Sequence, residues 1–293
     1  MSLSEPKPGQ RPLAAALSLL LALSGCAQMN STMGVVQQTT VNYYPKCYEP
    51  VGYLRESDQR MQQAVGTGAL VGAAGGAALG AAATGDTRGA VTGAVLGAIA
   101  GGLTGYYMEK QQQIADDRAR FAAYGTDIDR TTGEFNRTTS AARNAQRCYQ
   151  KEFKALVQLR KRGKVSDAEG RARFAEIVSG MSEANALMAA VDGRIGESLD
   201  TYTKAYESDL QKRGATRSTV AQSANRGGGR GSSKSSGVPT EAVNVERKVQ
   251  KATAAREEVK TVTASIAADT RSFCSSPDIG DWGKGNATCA KSA

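Results

Sequence analysis

Apolar and polar positions divide this chain of 293 residues into regions with different periodicities. Two runs, 61–85 and 89–108, contain no charged residue. Each run holds about 20 residues or more, enough for a helix to cross roughly 30 Å of hydrocarbon. The polar stretch between them, 84–88, is typical of a tight turn. The pattern predicts two apolar helices joined by a short connection.

Glycine recurs at every fourth position in both runs, at Gly68, Gly72, Gly76, Gly80, Gly89, Gly93, Gly97, Gly101 and Gly105. On a helix this spacing forms one stripe without side chains, along which a second backbone can approach closely. A Gly/Ala-rich flexible linker is the alternative, but a linker has no reason to keep a four-residue period over nine positions. We therefore predict a glycine-zipper transmembrane helical hairpin at 64–108.

A different pattern follows at 109–213, where apolar residues recur every seven positions. The first seam consists of Ile114, Phe121, Ile128, Phe135, Ala142, Tyr149 and Leu156. The second consists of Phe174, Ile177, Met181, Ala184, Met188, Val191, Ile195, Leu199 and Tyr202. Such seams predict long antiparallel helices packed like a coiled coil. Polar residues such as Thr131 interrupt the first seam, so its packing should be loose.

Signals for helix ends divide the same region. A cationic stretch before Gly163 and another before Gly214 are favourable helix ends, and Ser166 with Glu169 fits a capping box. Residues 240–275 predict a third helix with an apolar face from Val245 to Phe273. The stretch 214–239 is expected to be a basic Gly/Ser linker, and the Cys-containing tail, 276–293, has no regular pattern. The predicted fold class is all-α.

The beginning of the chain has the order of an export signal. Two cations precede an apolar run at 13–23 that ends in small residues. We predict a signal peptide at 1–25, followed by a tether and a short helix from Leu54 to Gln63 within 26–63. The alternative is an ordinary signal peptide or membrane anchor, in which Cys26, the residue that follows the predicted signal, has no special role.

Composition argues against catalysis. The chain has no histidine, one tryptophan and a net charge of +9, and none of the spacings that define hydrolase, metalloprotease, phosphate-loop or calcium sites occurs. We expect no enzyme activity, no catalytic residue and no metal site. The basic Gly/Ser stretch has the composition of a plain linker, and we expect no nucleic-acid partner.

Four cysteines besides Cys26 are widely spaced, at Cys47, Cys148, Cys274 and Cys289. An even number in an exported protein predicts two disulfides. Equal helical rise along the two long helices and the third helix places Cys148 and Cys274 at nearly the same height. We favour the pairs Cys148–Cys274 and Cys47–Cys289, with Cys274–Cys289 as the competing pair.

The segment Leu23-Ser24-Gly25-Cys26, the paired glycine stripes and the exit Gly-Tyr-Tyr-Met at 105–108 resemble the glycine-zipper outer-membrane lipoproteins. The resemblance covers roughly 13–112. It implies a covalent lipid on Cys26, no other cofactor, and an outer-membrane location with the helical region in the periplasm. Many relatives continue into an OmpA-like peptidoglycan-binding domain, but this chain continues into helices, so wall binding does not carry over.

These features predict a structural lipoprotein that supports envelope integrity or scaffolds envelope components. Membrane lipid is the expected partner, with self-association through the zipper and contacts with envelope proteins or the cell wall as further possibilities. An oligomeric pore or a transport component is the alternative, since glycine stripes can also assemble helices around a channel.

Overall fold

The computed structural model describes residues 36–60, 106–108, 110–225 and 238–292. The predicted signal peptide, Cys26 and the nine zipper glycines lie outside these residues, as do 226–237 of the predicted linker. The chain divides into two units, Met1–Gln37 and Gln38–Ala293. Only residues 36–37 of the first unit are described, and the elements below belong to the second.

Helices make up the described chain, in agreement with the predicted all-α class. They are α1 (45–60), α2 (Asp117–Lys161), α3 (Asp167–Lys212), α4 (Arg217–Asn225), α5 (Thr240–Ser275), a 3₁₀ helix (Pro277–Gly283) and α6 (Ala287–Ser292). Residues 106–108 and 110–113 are also helical. Within the described ranges, no helix combines the length and the apolar character that a membrane span requires.

Local sequence signals set the ends of the long helices as predicted. Helix α2 ends before Gly163, whose φ of 63° is the left-handed conformation that glycine adopts readily. Ser166 caps α3 by accepting a hydrogen bond from the backbone N–H of Glu169 at 3.3 Å. Helix α3 ends before Gly214, with a φ of 68°. The connection between α2 and α3 is therefore short, and the two helices run antiparallel.

The three long helices pack into a bundle in which α5 lies along both others. Helix α5 runs parallel to α2, since Lys248 pairs with Asp129 and Glu258 with Arg143. The predicted apolar seams form its core, and every predicted member is buried except Ile114 and Tyr202, which are half-buried. The predicted α5 face is buried from Val245 to Phe273.

Helix α2 is not loosely packed, contrary to expectation. Thr131 and Thr138 are 7% and 0% exposed, and their hydroxyls donate to the carbonyls of Asp127 and Glu134, one turn earlier. A threonine that satisfies its hydroxyl in this way can be buried at little cost. Since α2 faces α3, α5 and α1, its buried surface is wider than a two-helix seam.

The predicted linker contains a helix, and this part of the prediction is wrong. Helix α4 lies within 214–239 and packs on α5, with Val220 and Ala224 buried. Arg217 is held by the carboxylates of Glu246 at 2.9 Å and Glu207 at 3.2 Å. These contacts come from distant positions, which composition alone does not show.

The tail also has regular structure that its sequence pattern did not predict. Its 3₁₀ helix places Trp282 against α3, 3% exposed, with the indole N–H donating to the Asp167 carboxylate at 2.9 Å. The Arg160 guanidinium stacks over the indole at 5.0 Å and donates to the carbonyl of Asp278 at 2.7 Å. The tail therefore covers the end of the bundle where α2 turns into α3.

The favoured disulfide pairing is wrong. The structure pairs Cys47 with Cys148 and Cys274 with Cys289. The predicted heights are close to those observed, since Phe273 stacks on Phe153 with ring centroids 4.1 Å apart. Cys148, however, faces α1, and its neighbours Gln146 and Gln150 face α5 instead. Helical rise gives the position of a residue along the helix axis, but it does not tell which neighbouring helix its side chain faces.

Candidate functional site: the two flanks of the glycine repeat

The segments before and after the glycine repeat both bind the bundle. We call residues 38–60 the entry segment and 106–113 the exit segment. The entry segment includes α1, which begins at Pro45, nine residues before the predicted start of the short helix at Leu54. Proline at the first helical position fits its fixed φ. The early start depends on tertiary contacts that a local pattern does not show.

Glu176 of α3 holds the beginning of α1. Its carboxylate accepts hydrogen bonds from the backbone N–H groups of Asn42, Tyr43 and Tyr44 at 2.9, 2.8 and 2.8 Å. These three N–H groups lie in the turn just before α1, where the backbone has no regular partners, and the positive end of the helix dipole favours an anion there. Glu176 is 5% exposed, so it acts as a buried cap supplied by another helix.

Glu183, seven residues further along α3, holds the same segment at three points. It accepts from the backbone N–H of Thr39 at 2.6 Å, from the Tyr48 hydroxyl at 3.0 Å and from Arg55 Nε at 2.9 Å. Glu183 is 3% exposed. Because a buried carboxylate is stable only when charge and hydrogen bonds compensate it, these contacts form a unit.

Further contacts fix α1 to α2 and α3. The Cys47–Cys148 disulfide joins α1 to α2, Ser57 donates to the Glu134 carboxylate, and Asp58 forms an ion pair with Arg194 of α3. Burial alone would raise the pKa of Glu134, but hydrogen bonds from Ser57 and Arg137 lower it below its ordinary value. Glu134 is therefore charged at neutral pH.

On the exit side, Tyr106 is the first described residue after the repeat. Its hydroxyl donates to the Asp127 carboxylate at 2.6 Å, and its ring lies 4.7 Å from that of Tyr202, centroid to centroid. Lys110 pairs with the same carboxylate at 3.1 Å. The exit segment is thus fixed to both α2 and α3.

Asp209 of α3 is the second acceptor for the exit segment. It is 2% exposed and receives hydrogen bonds from the Tyr107 hydroxyl at 2.9 Å and the Gln111 amide at 2.6 Å. Arg120 Nε and the Tyr124 hydroxyl of α2 donate to its other oxygen, each at 2.9 Å. Burial, together with this carboxylate, raises the pKa of Tyr124, which keeps the phenol protonated as a donor.

The two flanks meet the bundle close together. Ser57 contacts Glu134 and Tyr106 contacts Asp127, and these carboxylates are seven residues apart on α2. Seven residues correspond to about 10 Å of helix. Two packed helices have axes about 8–10 Å apart. The last described contact of the entry segment and the first of the exit segment therefore lie near each other on α2, at a separation comparable with the spacing of two packed helices.

Sequence reasoning singled out four residues of this site, Cys47, Cys148, Tyr106 and Tyr107, but it paired the two cysteines wrongly and missed the buried carboxylates. A signal existed for Asp209, because an acid in the last turn of a helix opposes the helix dipole. Such a local conflict indicates a compensating partner. Glu176 and Glu183 lie beside the apolar seam, seven residues apart and so on the same face of α3. This spacing is the sequence feature that indicates a common role for them. Among the described residues, no group of metal-binding side chains could hold an ion.

The comparisons with known proteins concern the same part of the chain. Residues 67–112 match the sequence profile of the glycine zipper family of outer-membrane type. This match supports the predicted zipper and indicates an outer-membrane-associated protein. It also includes most of the exit segment. A search of curated protein sequences finds no match, and a comparison with solved structures finds none.

Proposed function

We propose that the chain is an outer-membrane lipoprotein that joins a glycine-zipper membrane hairpin to a periplasmic helical bundle. Its role is structural: it supports the envelope or scaffolds other envelope components. The observation that carries this proposal is the fixation of both flanks of the zipper on one bundle. A force or a displacement on the bundle would then pass to both arms of the hairpin.

The strength of the two attachments fits such a role. Each flank is held by buried carboxylates that have several donors, and the entry segment is also held by a disulfide. Removing one partner from a buried charged pair costs about 3–5 kcal/mol. A flexible linker would not carry a load between membrane and bundle, whereas these contacts keep both flanks of the zipper in fixed places.

The position of the lipid on Cys26 is compatible with a zipper in the same membrane. Thr39 comes thirteen positions after Cys26, and this length of chain reaches at most about 45 Å when extended. Thr39 binds at Glu183 and Asp58 binds at Arg194, eleven residues apart on α3. This is about 16 Å of helix. The tether is therefore long enough for lipid and hairpin to enter one bilayer.

Lipid labelling with membrane fractionation tests the proposal. The Cys26→Ala variant should lack the lipid label and keep its signal peptide uncleaved. Met29→Ala, in the same tether, is the control and should behave like wild type. Labelling and outer-membrane sorting of Cys26→Ala at the wild-type level would contradict the lipoprotein assignment, and recovery of the wild-type chain in a soluble fraction would contradict the membrane role.

A further inference from the structure

The outer face of α2 carries a line of cations that the attachment of the zipper does not use. Arg147, Lys151, Lys154 and Arg162 are all exposed and follow one another at intervals of four, three and eight residues. These intervals keep one face of a helix. Lys164, in the turn after α2, is also exposed. We call these five residues the cationic ridge.

The ridge faces away from the rest of the bundle. On one side of it, Cys148 is bonded to α1. On the other side, Gln146 and Gln150 donate to Asp269 of α5. Residues on both sides are thus engaged by neighbouring helices, which leaves the ridge as the solvent face between them.

Most exposed cations elsewhere on α2 have acidic partners. Arg137 pairs with Glu134 at 2.6 Å, Arg143 with Glu258 at 2.6 Å and Lys161 with Asp278 at 2.9 Å. Within the described ranges, no ridge cation forms an ion pair, and the polar contact of Arg147 is with the amide of Asn144. Like charges on one helix face repel one another, so this arrangement costs stability unless an anion neutralises it.

We propose that the cationic ridge binds an anionic glycopeptide polymer of the cell wall, through the free carboxylates of its peptide stems. This inference rests on the proposed periplasmic location of the bundle. From Arg147 to Arg162, the residue that caps α2, the ridge is about 22 Å long. A linear polymer with repeated carboxylates matches this shape and charge.

Two other anionic partners fit less well. Binding in the plane of a membrane uses apolar side chains next to the cations, but the exposed large apolar residues of the described chain are Tyr43 and Met108, neither of which belongs to α2. Binding of single-stranded nucleic acid uses aromatic side chains on which bases stack. The aromatic residues between the ridge positions are engaged inside the bundle, since Tyr149 is buried and Phe153 stacks on Phe273 of α5.

The ridge also lies at a useful distance from the zipper. Glu134, where the entry segment is held, is 28 residues before Arg162. That is about 42 Å along α2. A bundle standing on the membrane would therefore carry the ridge well away from the lipid surface.

Co-sedimentation of the detergent-solubilised full chain with purified peptidoglycan sacculi tests the inference. The variant K151E/K154E/R162E should bind at least about tenfold more weakly than wild type, because three attractive pairs become repulsive. The control R247E/K251E/R271E reverses three exposed cations of α5 and changes the net charge equally. It should retain binding. Raising the ionic strength from about 0.05 to 0.3 M should release the wild-type chain.

Equal loss in both variants would overturn the proposal, since net charge alone would then explain the binding. It would also be overturned if the wild-type chain failed to bind sacculi or preferred vesicles containing phosphatidylglycerol. Circular dichroism of both variants shows whether the bundle remains folded. Membrane fractionation of the same variants measures localisation separately. Loss of sacculus binding with normal membrane recovery concerns the ridge alone, whereas loss of membrane recovery concerns the proposed function.

Discussion

Glu183 on α3 accepts a hydrogen bond from the backbone N–H of Thr39 at 2.6 Å, across 144 positions of sequence. The same carboxylate, 3% exposed, also accepts hydrogen bonds from the Tyr48 hydroxyl and from Arg55 Nε. One buried anion thereby fixes the start, the middle and the far part of the entry segment. The position of the arm that leads into the zipper depends on this side chain.

We predict that Glu183→Ala lowers the free energy of unfolding by about 3–5 kcal/mol, because Arg55 and the N–H of Thr39 lose their acceptor. Thermal unfolding by circular dichroism in detergent measures the loss. Glu197→Ala, an exposed position on the same helix, is the control and should change stability by less than about 0.5 kcal/mol. Equal effects of the two substitutions would contradict the role assigned to Glu183.

Gly170 on α3 should not tolerate a side chain. A Cβ at this position would overlap the Trp282 ring. Gly170→Ala is therefore expected to displace the tail and cost about 1–3 kcal/mol, although alanine is the better helix former. Tryptophan fluorescence reports the displacement directly, because Trp282 is the single tryptophan of the chain.

Gly133→Ala is the matched control on α2. Its Cβ would contact only the flexible Arg137 side chain, at 3.5 Å or more. This variant should gain up to about 1 kcal/mol from helix propensity. Stabilisation by both substitutions would mean that Trp282 does not pack against α3 as described.

Alkaline pH should destabilise the bundle. Among the described residues outside the predicted hairpin, burial raises the pKa of six tyrosines, Tyr44, Tyr48, Tyr124, Tyr149, Tyr202 and Tyr206. Above the ordinary pKa of 10.0 the unfolded chain loses these protons while the folded chain keeps them. The stability is therefore complete below pH 10 and falls as the pH rises toward the folded pKa values. Melting temperatures and tyrosinate absorbance against pH measure the effect.

Two tyrosine-to-phenylalanine substitutions separate burial from hydrogen bonding. The Tyr149 hydroxyl is buried and has no hydrogen-bond partner among the described residues, so Tyr149→Phe should stabilise the bundle by about 1 kcal/mol. The Tyr124 hydroxyl donates to Asp209 at 2.9 Å. Tyr124→Phe should therefore cost about 1.5 kcal/mol or more. At neutral pH the two substitutions should therefore change the free energy of unfolding in opposite directions.

Leucine in the glycine stripes tests the zipper itself. Gly76→Leu and Gly97→Leu add bulk at the middle of each stripe and should cost about 1–2 kcal/mol of helix packing. Ala78→Leu adds bulk on the opposite face and is the control. A hairpin should keep its monomeric mass while protease protection falls, whereas an oligomeric pore should lose a cross-linked ring. Wild-type behaviour of both glycine variants would mean that the stripes have no packing role.

Periodicity predicted the parts of the fold that depend on local pattern. The seams of α2, α3 and α5 became the core, and the turns at Gly163 and Gly214 lie where glycine after a cationic stretch indicated helix ends. These features follow from repeats of seven residues and from caps, which a single sequence displays.

Features that depend on contacts between distant residues were missed. The α1 start at 45, α4 and the tail are each held by residues more than twenty positions away, such as Glu176 for Tyr44, Glu246 for Arg217 and Asp167 for Trp282. Nothing in the local sequence of these segments distinguishes them from tether or linker. The disulfide error has a related cause, because height along a helix does not specify which face a cysteine occupies.

The disulfides join cysteines that are consecutive in the chain, leaving Cys26 aside: Cys47 with Cys148, then Cys274 with Cys289. Four cysteines allow three pairings, and this is the one in which each pair is complete before the next cysteine appears. In the proposed export with the N-terminus first, Cys148 arrives when Cys47 is still unpaired, and Cys289 arrives when Cys274 is. Oxidation in order of arrival would therefore yield the native pairs directly.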